Sequence, residues 1–239
     1  MINWLINNIA GAIISSIVTM VGTYMFYNKK YLGVLSKTLL HRNKQYRITY
    51  SYLFRIRIDN KYLLVKGGRI NQFQPIGGVY KYYDSFKLLF EKWEVRSERD
   101  SNFFEDRDLR IFVKGKYIPS LLKWIDSGEN RECDHLREFR EELVDTGFLE
   151  EEVLSKVNFE FLKRINTGVH YSPHFKCEEI SIFDIIDAGE IDDDVKKRII
   201  NNIDKYDDYV LVSQEEIEKE CLYYNGLSTK IGEHCKYII

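Results

Sequence analysis

The sequence predicts one mixed α/β domain behind a single membrane-spanning helix. No charged side chain occurs between the N-terminal methionine and Lys29, which is typical of a membrane anchor. Residues 46–58 alternate apolar and polar side chains with the period of a β-strand. Strand-like and helix-like stretches then follow one another along the chain. Of the 239 residues, about 210 remain after the anchor, enough for one well-buried core.

Composition and charge exclude several classes of protein. The 35 basic and 37 acidic side chains give a formal net charge of -2, so the whole chain has no general attraction for a nucleic acid polymer. The four cysteines, at positions 133, 177, 221 and 235, are too widely spaced for a zinc motif and too few for a secreted disulfide scaffold. We expect reduced thiols, and we expect any cationic binding site to be local.

Residues 1–30 form the predicted anchor. A helix from Trp4 to Tyr27 would be about 36 Å long, enough to cross a hydrocarbon core of about 30 Å. Lys29 and Lys30 follow directly, and positive residues stay on the cytosolic side, so residues 31–239 are expected to be cytosolic. A cleaved signal peptide is the alternative, but the basic n-region is missing and the apolar stretch is too long.

One face of this helix is lined by small residues at intervals of three or four, namely Gly11, Ser15, Thr19 and Gly22. Such spacing lets helix backbones approach closely in lipid, which predicts a homo-oligomer formed through the anchor. The alternative is that glycine and serine are simply common in membrane helices.

Most of the predicted elements come from hydrophobic periodicity. The strand at Tyr46–Ile58 is followed by a turn at Asp59–Asn60 and a return strand at Tyr62–Val65, and a glycine turn follows at Gln74–Gly78. Further strands are expected at Leu109–Val113, Glu179–Ile186 and Tyr209–Val212, and helices at Pro119–Ile125, Cys133–Val144, Asp194–Ile203 and Gln214–Leu222.

Acidic residues cluster in the helix predicted at Cys133–Val144. Glu138, Glu141 and Glu142 stand at i, i+3 and i+4, so their carboxylates share one helical face. A divalent cation would neutralise such a cluster and bridge it to the phosphates of a substrate. The alternative is an ordinary solvated, charged face.

The wider spacing resembles the Nudix box: Gly128-Glu129, seven residues, then Arg137-Glu138-Phe139-Arg140-Glu141-Glu142. The hairpin and the glycine turn before it fit the same family. The resemblance implies a Nudix-like sandwich in which these three glutamates bind Mg²⁺ or Mn²⁺ if the box is active, with Glu138 as the catalytic carboxylate. It also implies that Arg137 orients the glutamates and that Glu129 is a supporting acid.

The chain departs from this family's pattern in two places. An insertion of about fifty residues, 79–127, separates the glycine turn from the box, and Val144 stands where a small residue is expected. A second register, built on Glu132, Arg140-Glu141 and Gly147, fits the closing glycine but gives Glu142 and Val144 the wrong roles.

A cytosolic Nudix-like domain behind one N-terminal membrane helix is similar to the SMODS-associated Nudix group of bacterial cyclic-oligonucleotide antiphage signalling (CBASS). This resemblance implies a sensor at the bacterial inner membrane: a partner nucleotidyltransferase supplies a cyclic nucleotide, the domain binds it, and the anchors assemble and disrupt the membrane. Such a sensor needs no cofactor. The alternatives are a membrane-tethered, metal-dependent hydrolase of nucleoside diphosphate derivatives and an inert scaffold.

The candidate ligand residues lie around the hairpin and the glycine turn. A phosphate-bearing ligand needs cations, and a nucleobase needs an aromatic platform. These criteria select Arg55, Arg57, Arg69, Phe73, Gln74, Gly77, Gly78 and Tyr80.

Overall fold

The computed structural model describes residues 2–27, 31–98, 107–129 and 131–239, and of residues 2–11, 24, 25 and 27 it describes only the helical backbone. Helix α1 spans Ile2–Tyr27. In the part of the chain with described side chains, no helix is long and apolar enough to cross a membrane. Lys29 and Lys30, on which the predicted orientation depends, lie outside the described residues. Gly11, on the small-residue face, is described only as part of the helical backbone.

Both strands and helices follow α1. The strands in the described residues are β1 (Gln45–Arg55), β2 (Arg57–Ile58), β3 (Lys61–Lys66), β4 (Phe73–Pro75), β5 (Gly77–Val79), β6 (Arg96–Ser97), β7 (Arg110–Lys114), β8 (Glu160–Asn166), β9 (His170–Ser172), β10 (Cys177–Asp187), β11 (Tyr209–Ser213), β12 (Cys221–Tyr224) and β13 (Leu227–Lys230). The helices are α2 (Leu32–Leu40), α3 (Lys87–Lys92), α4 (Ile118–Ser127), α5 (Leu136–Phe139), α6 (Asp193–Ile203) and α7 (Gln214–Glu218).

The main sheet is built on the two longest strands, β1 and β10, which run parallel. Its order is β6-β7-β1-β10-β8, with β5 pairing to β1 and β9 pairing to β10. A smaller sheet has the order β11-β3-β2, with β4 beside β3, and β12 and β13 form a separate hairpin. This arrangement confirms the predicted mixed α/β fold.

Strand β1 is buried on both faces, one of which is apolar and the other polar. Its tyrosine and phenylalanine side chains, with Ile48, enter the main hydrophobic core. Arg47, Thr49 and Ser51 alternate with them and are only 3, 8 and 6 % exposed. The alternating pattern alone indicates one buried and one solvated face. The polar face is instead buried, because it forms the floor of a cleft.

The segment predicted as an insertion is part of the main sheet. Strand β7 pairs antiparallel with β1, and β6 pairs with β7. Phe86, Phe90 and Ile111 from this segment are buried in the main core. The insertion therefore widens the sheet.

Two predicted helices have different limits in the structure. The helix predicted at Cys133–Val144 begins at Leu136, whose amide donates to the Asp134 carboxylate, and continues as a wider π-helical turn over Arg140–Val144. The helix predicted at Gln214–Leu222 ends at Glu218, because β12 starts three residues later.

Candidate functional site

A cleft of about 600 Å³ opens between the glycine turn, helix α5 and the polar face of β1. Its lining contains carboxylates, cations and small polar groups from distant parts of the sequence. These residues are Arg47, Thr49, Ser51, Gly68, Arg69, Ile70, Gln72, Gln74, Gly77, Gly78, Val79, Lys81, Asp108, Arg110, Arg137, Glu138, Glu141, Glu142, Phe175 and His234. The cleft thus brings the predicted box and the predicted glycine turn together.

The box residues hold the glycine turn in place. The Gly77 amide donates to Glu142 Oε2 at 2.9 Å. A Cβ atom on Gly78 would lie 2.0 Å from Glu138 Cδ, so the glutamate packs directly over this glycine. Gly77 has a φ of 153° and no room for a Cβ, which would lie 2.2 Å from the Tyr52 carbonyl oxygen. Gly77 is therefore required by the close approach of the β1 backbone, and Gly78 by the close approach of the Glu138 side chain.

Arg137 links the acidic residues to one another. It donates to Glu138 Oε1 at 2.6 Å and to Glu141 Oε2 at 3.1 Å, and its orienting role stays a prediction. It also donates to both oxygens of Glu132, at 2.8 and 3.1 Å, and to the Val79 carbonyl at 3.2 Å.

Glu132 is the acid beside the box that contacts Arg137, and the supporting role predicted for Glu129 stays a prediction. The Glu132 amide donates to the Lys81 carbonyl at 2.7 Å, and the Lys81 amide donates back to Glu132 Oε2 at 3.2 Å. These two hydrogen bonds hold Glu132 beside Arg137. Glu129 is exposed, because it directly follows Gly128, where helix α4 ends in a left-handed turn.

Burial makes two of the three box glutamates hard to ionise. Burial raises the pKa of Glu142 to about 8, and the charges of Glu138 and Glu141 add to this effect, while the hydrogen bond from Gly77 opposes it. Burial also raises the pKa of Glu138, against the opposing effect of Arg137. At neutral pH, therefore, Glu142 favours its protonated form in this arrangement.

The carboxylates in this arrangement do not fit a magnesium or manganese ion. Among the residues that the structure describes, no group of three or more His, Cys, Asp and Glu side chains is placed to hold a metal. The physical reason is that one oxygen of Glu138 is paired with Arg137 and one oxygen of Glu142 with the Gly77 amide. A Mg²⁺ site needs oxygen ligands that converge at about 2.1 Å. This arrangement of carboxylates therefore supports no metal-dependent reaction step.

A group of cations, the cationic wall, also lines the cleft. Arg69, Lys81 and Arg110 all line it, and the pKa of Arg110 is lowered by burial and by the neighbouring positive charges of Arg69 and Arg47. Asp108 accepts a hydrogen bond from Arg110 at 3.0 Å. A set of crowded, partly desolvated cations favours an anionic ligand.

Arg47 is a buried structural cation on the cleft floor. It pairs with Glu179 on β10 and with Glu98, 3.0 Å away, and its guanidinium lies 3.7 Å from the centre of the Phe175 ring. Sequence reasoning missed Arg47 because the alternating pattern places it on a solvated strand face. It missed Phe175 and His234 because they approach the cleft only through the tertiary fold.

The structure divides the predicted ligand residues into two groups. Arg69, Gln74, Gly77 and Gly78 line the cleft, and their role in binding stays a prediction. The other four belong elsewhere, because each is engaged in packing or lies on another surface. Arg55 forms a two-pronged ion pair with Asp187, Arg57 is exposed on β2, Phe73 is buried in the second hydrophobic core, and Tyr80 is buried with its hydroxyl donating to Asp184.

The fold and the cleft define a Nudix-like domain whose box packs against its glycine turn. The family profile described as the SMODS-associated NUDIX domain matches residues 45–239. The chain therefore belongs to this family, a Nudix-like domain associated with SMODS and CBASS. The match covers the insertion and excludes α1 and α2.

One curated protein matches a short stretch of the chain. A segment of 60 residues is 37% identical to part of an ATP-dependent helicase/nuclease from Lachnoclostridium phytofermentans. The segment covers 25% of the chain and 4% of that protein. The chain thus spans a small fraction of this relative's length.

Proposed function

We propose that this chain is a membrane-anchored effector of CBASS antiviral defence. In this proposal the Nudix-like domain binds a cyclic nucleotide from a partner nucleotidyltransferase, and binding drives assembly of the anchors and disruption of the bacterial inner membrane. The observation that carries the proposal is the cationic wall of the cleft, in a domain of the SMODS-associated family. A ligand that binds the assembled state more tightly shifts the equilibrium toward assembly.

The cleft chemistry supports a ligand with phosphates. Arg69 is half-exposed, and its guanidinium is 3.5 Å from Glu98, a loose pair that leaves its donors accessible. Arg110 and Lys81 line the same cleft. Arginine donors suit phosphate oxygens because their planar geometry allows paired hydrogen bonds. The polar floor of Thr49 and Ser51 offers neutral partners beside them.

The connection between the domain and residues 1–30 also supports signalling. Tyr31, Val34 and Leu35 are buried in the main core. The Tyr31 hydroxyl donates to Asp126 at 2.7 Å, and Arg164 contacts the same carboxylate at 2.9 Å. The chain therefore enters the domain through packed structure at residue 31.

The test uses the full-length chain reconstituted in dye-loaded liposomes with a panel of cyclic di- and trinucleotides. We expect at least one member of the panel to release the dye. Arg69→Gln should raise the nucleotide concentration needed, by about tenfold or more, because it removes a charged hydrogen bond. Arg57→Gln is the matched control, since Arg57 is an exposed arginine outside the cleft. Equal effects of the two substitutions would contradict a phosphate site at this wall.

The hydrolase is the second candidate, and one observation favours it: Glu138, Glu141 and Glu142 line the same cleft as the cations. Replacing Glu141 and Glu142 together by Gln should abolish metal-dependent turnover of a nucleoside diphosphate derivative if the box is active. A sensor with this double substitution should still release dye. Loss of both turnover and dye release, in a folded variant that still binds nucleotide, would favour the hydrolase.

A further inference from the structure

The cleft continues past its cationic wall into a second hollow. This hollow has a volume of about 390 Å³ and is bordered by Thr167, Ser181, Phe183, His234, Lys236 and Tyr237. His234 also lines the main cleft, and Ser181, Phe183 and His234 line the floor region between the two. The two hollows are therefore parts of one surface, with His234 at their junction.

The second hollow is bordered by aromatic rings. The rings of Phe183 and His234 are within 11° of parallel, with centroids 6.1 Å apart. The Tyr237 ring is centred 5.5 Å from that of Phe183. All three side chains are partly exposed, although Phe183 and Tyr237 also pack against the second core. Burial lowers the pKa of His234 to about 4, so its imidazole is neutral at pH 7.

The cationic part of the cleft is a poorer place for a nucleobase. Phe175 is the phenylalanine that lines it, and the Arg47 guanidinium already covers the face of this ring at 3.7 Å. Lys236, by contrast, borders the second hollow but is paired with Glu233 at 2.6 Å. The cations Arg69, Lys81 and Arg110 therefore lie on one side of His234, whereas the other side presents the rings of Phe183 and Tyr237, with the Lys236 ammonium 5.4 Å from the centre of the Tyr237 ring.

We infer that the hollow bordered by Phe183, His234 and Tyr237 is a nucleobase subsite, in which a base stacks while its phosphate lies toward Arg69, Lys81 and Arg110. This inference rests on the proposed function and adds the position of the base. Stacking on protein rings tolerates every base, because each base has a π-face. The ligand class is thus a nucleotide that spans both parts of the cleft.

The test measures binding by full-length protein in detergent, with the same cyclic nucleotide panel and with pyrophosphate as a probe without a base. Phe183→Leu and Tyr237→Leu keep apolar bulk but remove a ring. We expect each to weaken nucleotide binding by about 5- to 100-fold, the usual range for loss of one stacking contact, and to leave pyrophosphate binding unchanged. Arg69→Gln should weaken both probes.

Two further variants keep the test decisive. Phe183→Tyr retains a ring and should retain nucleotide affinity. Phe161→Leu removes an exposed ring from strand β8, outside the hollow, and should change nothing. If the wild-type protein binds a cyclic nucleotide and both leucine variants bind it equally well, the base subsite is refuted and the proposed function stands. If the wild-type protein binds no member of the panel, both proposals fail.

Discussion

The buried carboxyl of Glu142 makes the stability of the domain depend on pH in a direction that can be predicted. Its pKa is about 8 in the folded chain, against an ordinary value of 4.5. The folded state therefore holds this proton more tightly than the unfolded state does. The contribution of Glu142 to the free energy of unfolding should be highest below about pH 5. This contribution should fall as the pH rises through 8.

The magnitude follows from the pKa difference between the folded and unfolded chain. One pKa unit corresponds to about 1.4 kcal/mol, so ionising Glu142 at pH 9 costs the folded state at most about 4 to 5 kcal/mol. Relaxation around the buried charge and entry of water reduce this to about 2 to 3 kcal/mol. Glu142→Gln removes the charge and keeps an oxygen that can accept the Gly77 amide. It should therefore be more stable than wild type at pH 9 and nearly equal to it at pH 5.

Urea unfolding of the full-length chain in detergent measures this difference. The buried indoles of Trp93 and Trp124 should report unfolding by fluorescence. Glu129→Gln is the control, because Glu129 is exposed and should leave the pH profile unchanged. A stability difference between wild type and Glu142→Gln that is the same from pH 5 to 9 would refute the reasoning.

The same measurement tests the arrangement of the carboxylates. With millimolar MgCl₂ or MnCl₂ at pH 8, a protein that binds the metal in its folded state must gain stability. The pairing of Glu138 with Arg137 and of Glu142 with Gly77 predicts no gain in either wild type or Glu142→Gln. A gain confined to the wild type would mean that the carboxylates rearrange around a metal.

Two substitutions at the cleft should destabilise the fold, each beside a mild control. Gly78→Ala should lower the free energy of unfolding by about 1 to 3 kcal/mol in urea, because the new methyl group displaces Glu138. At Gly68 a new methyl group meets open space, so Gly68→Ala should change the free energy of unfolding by no more than about 0.5 kcal/mol. Arg47→Met should cost about 3 to 5 kcal/mol, because it removes the cation paired with the buried Glu179 carboxylate and leaves Glu98 only its looser pair with Arg69. Lys44→Met breaks only an exposed ion pair and should cost less than about 1 kcal/mol. Equal losses within either pair would contradict the assignment.

The strongly periodic elements were predictable because one physical signal determined them. The strand at residues 46–58, the hairpin, the strand at residues 179–186 and the helix ending at Ile203 all follow from hydrophobic periodicity. Strand β8 was missed because its first three residues, including Phe161 and Leu162, are exposed and show no alternation. Its position is determined by pairing with β10, which is a tertiary contact.

The site was half predictable for a similar reason. The box and the glycine turn are local motifs, and the structure brings them together. The polar residues of β1 form the cleft floor, but alternation distinguishes two faces of a strand and cannot distinguish bulk water from a cleft. Sequence reasoning placed Glu132 only in the second register of the box, because its contact with Arg137 depends on hydrogen bonds with Lys81, fifty-one residues earlier in the chain.

The contacts of the box give its charged residues a structural role that does not require a metal. Glu142 accepts the Gly77 amide, Glu138 packs over Gly78, and Arg137 donates to the Val79 carbonyl. Each of these contacts fixes the glycine turn that separates the floor of the cleft from helix α5. A change at any of them would alter the shape of the cleft before it altered any reaction. The same residue pattern therefore suits a binding site and a hydrolase equally well. The box identifies the fold and its cleft, and only the arrangement of the carboxylate oxygens distinguishes between the two functions.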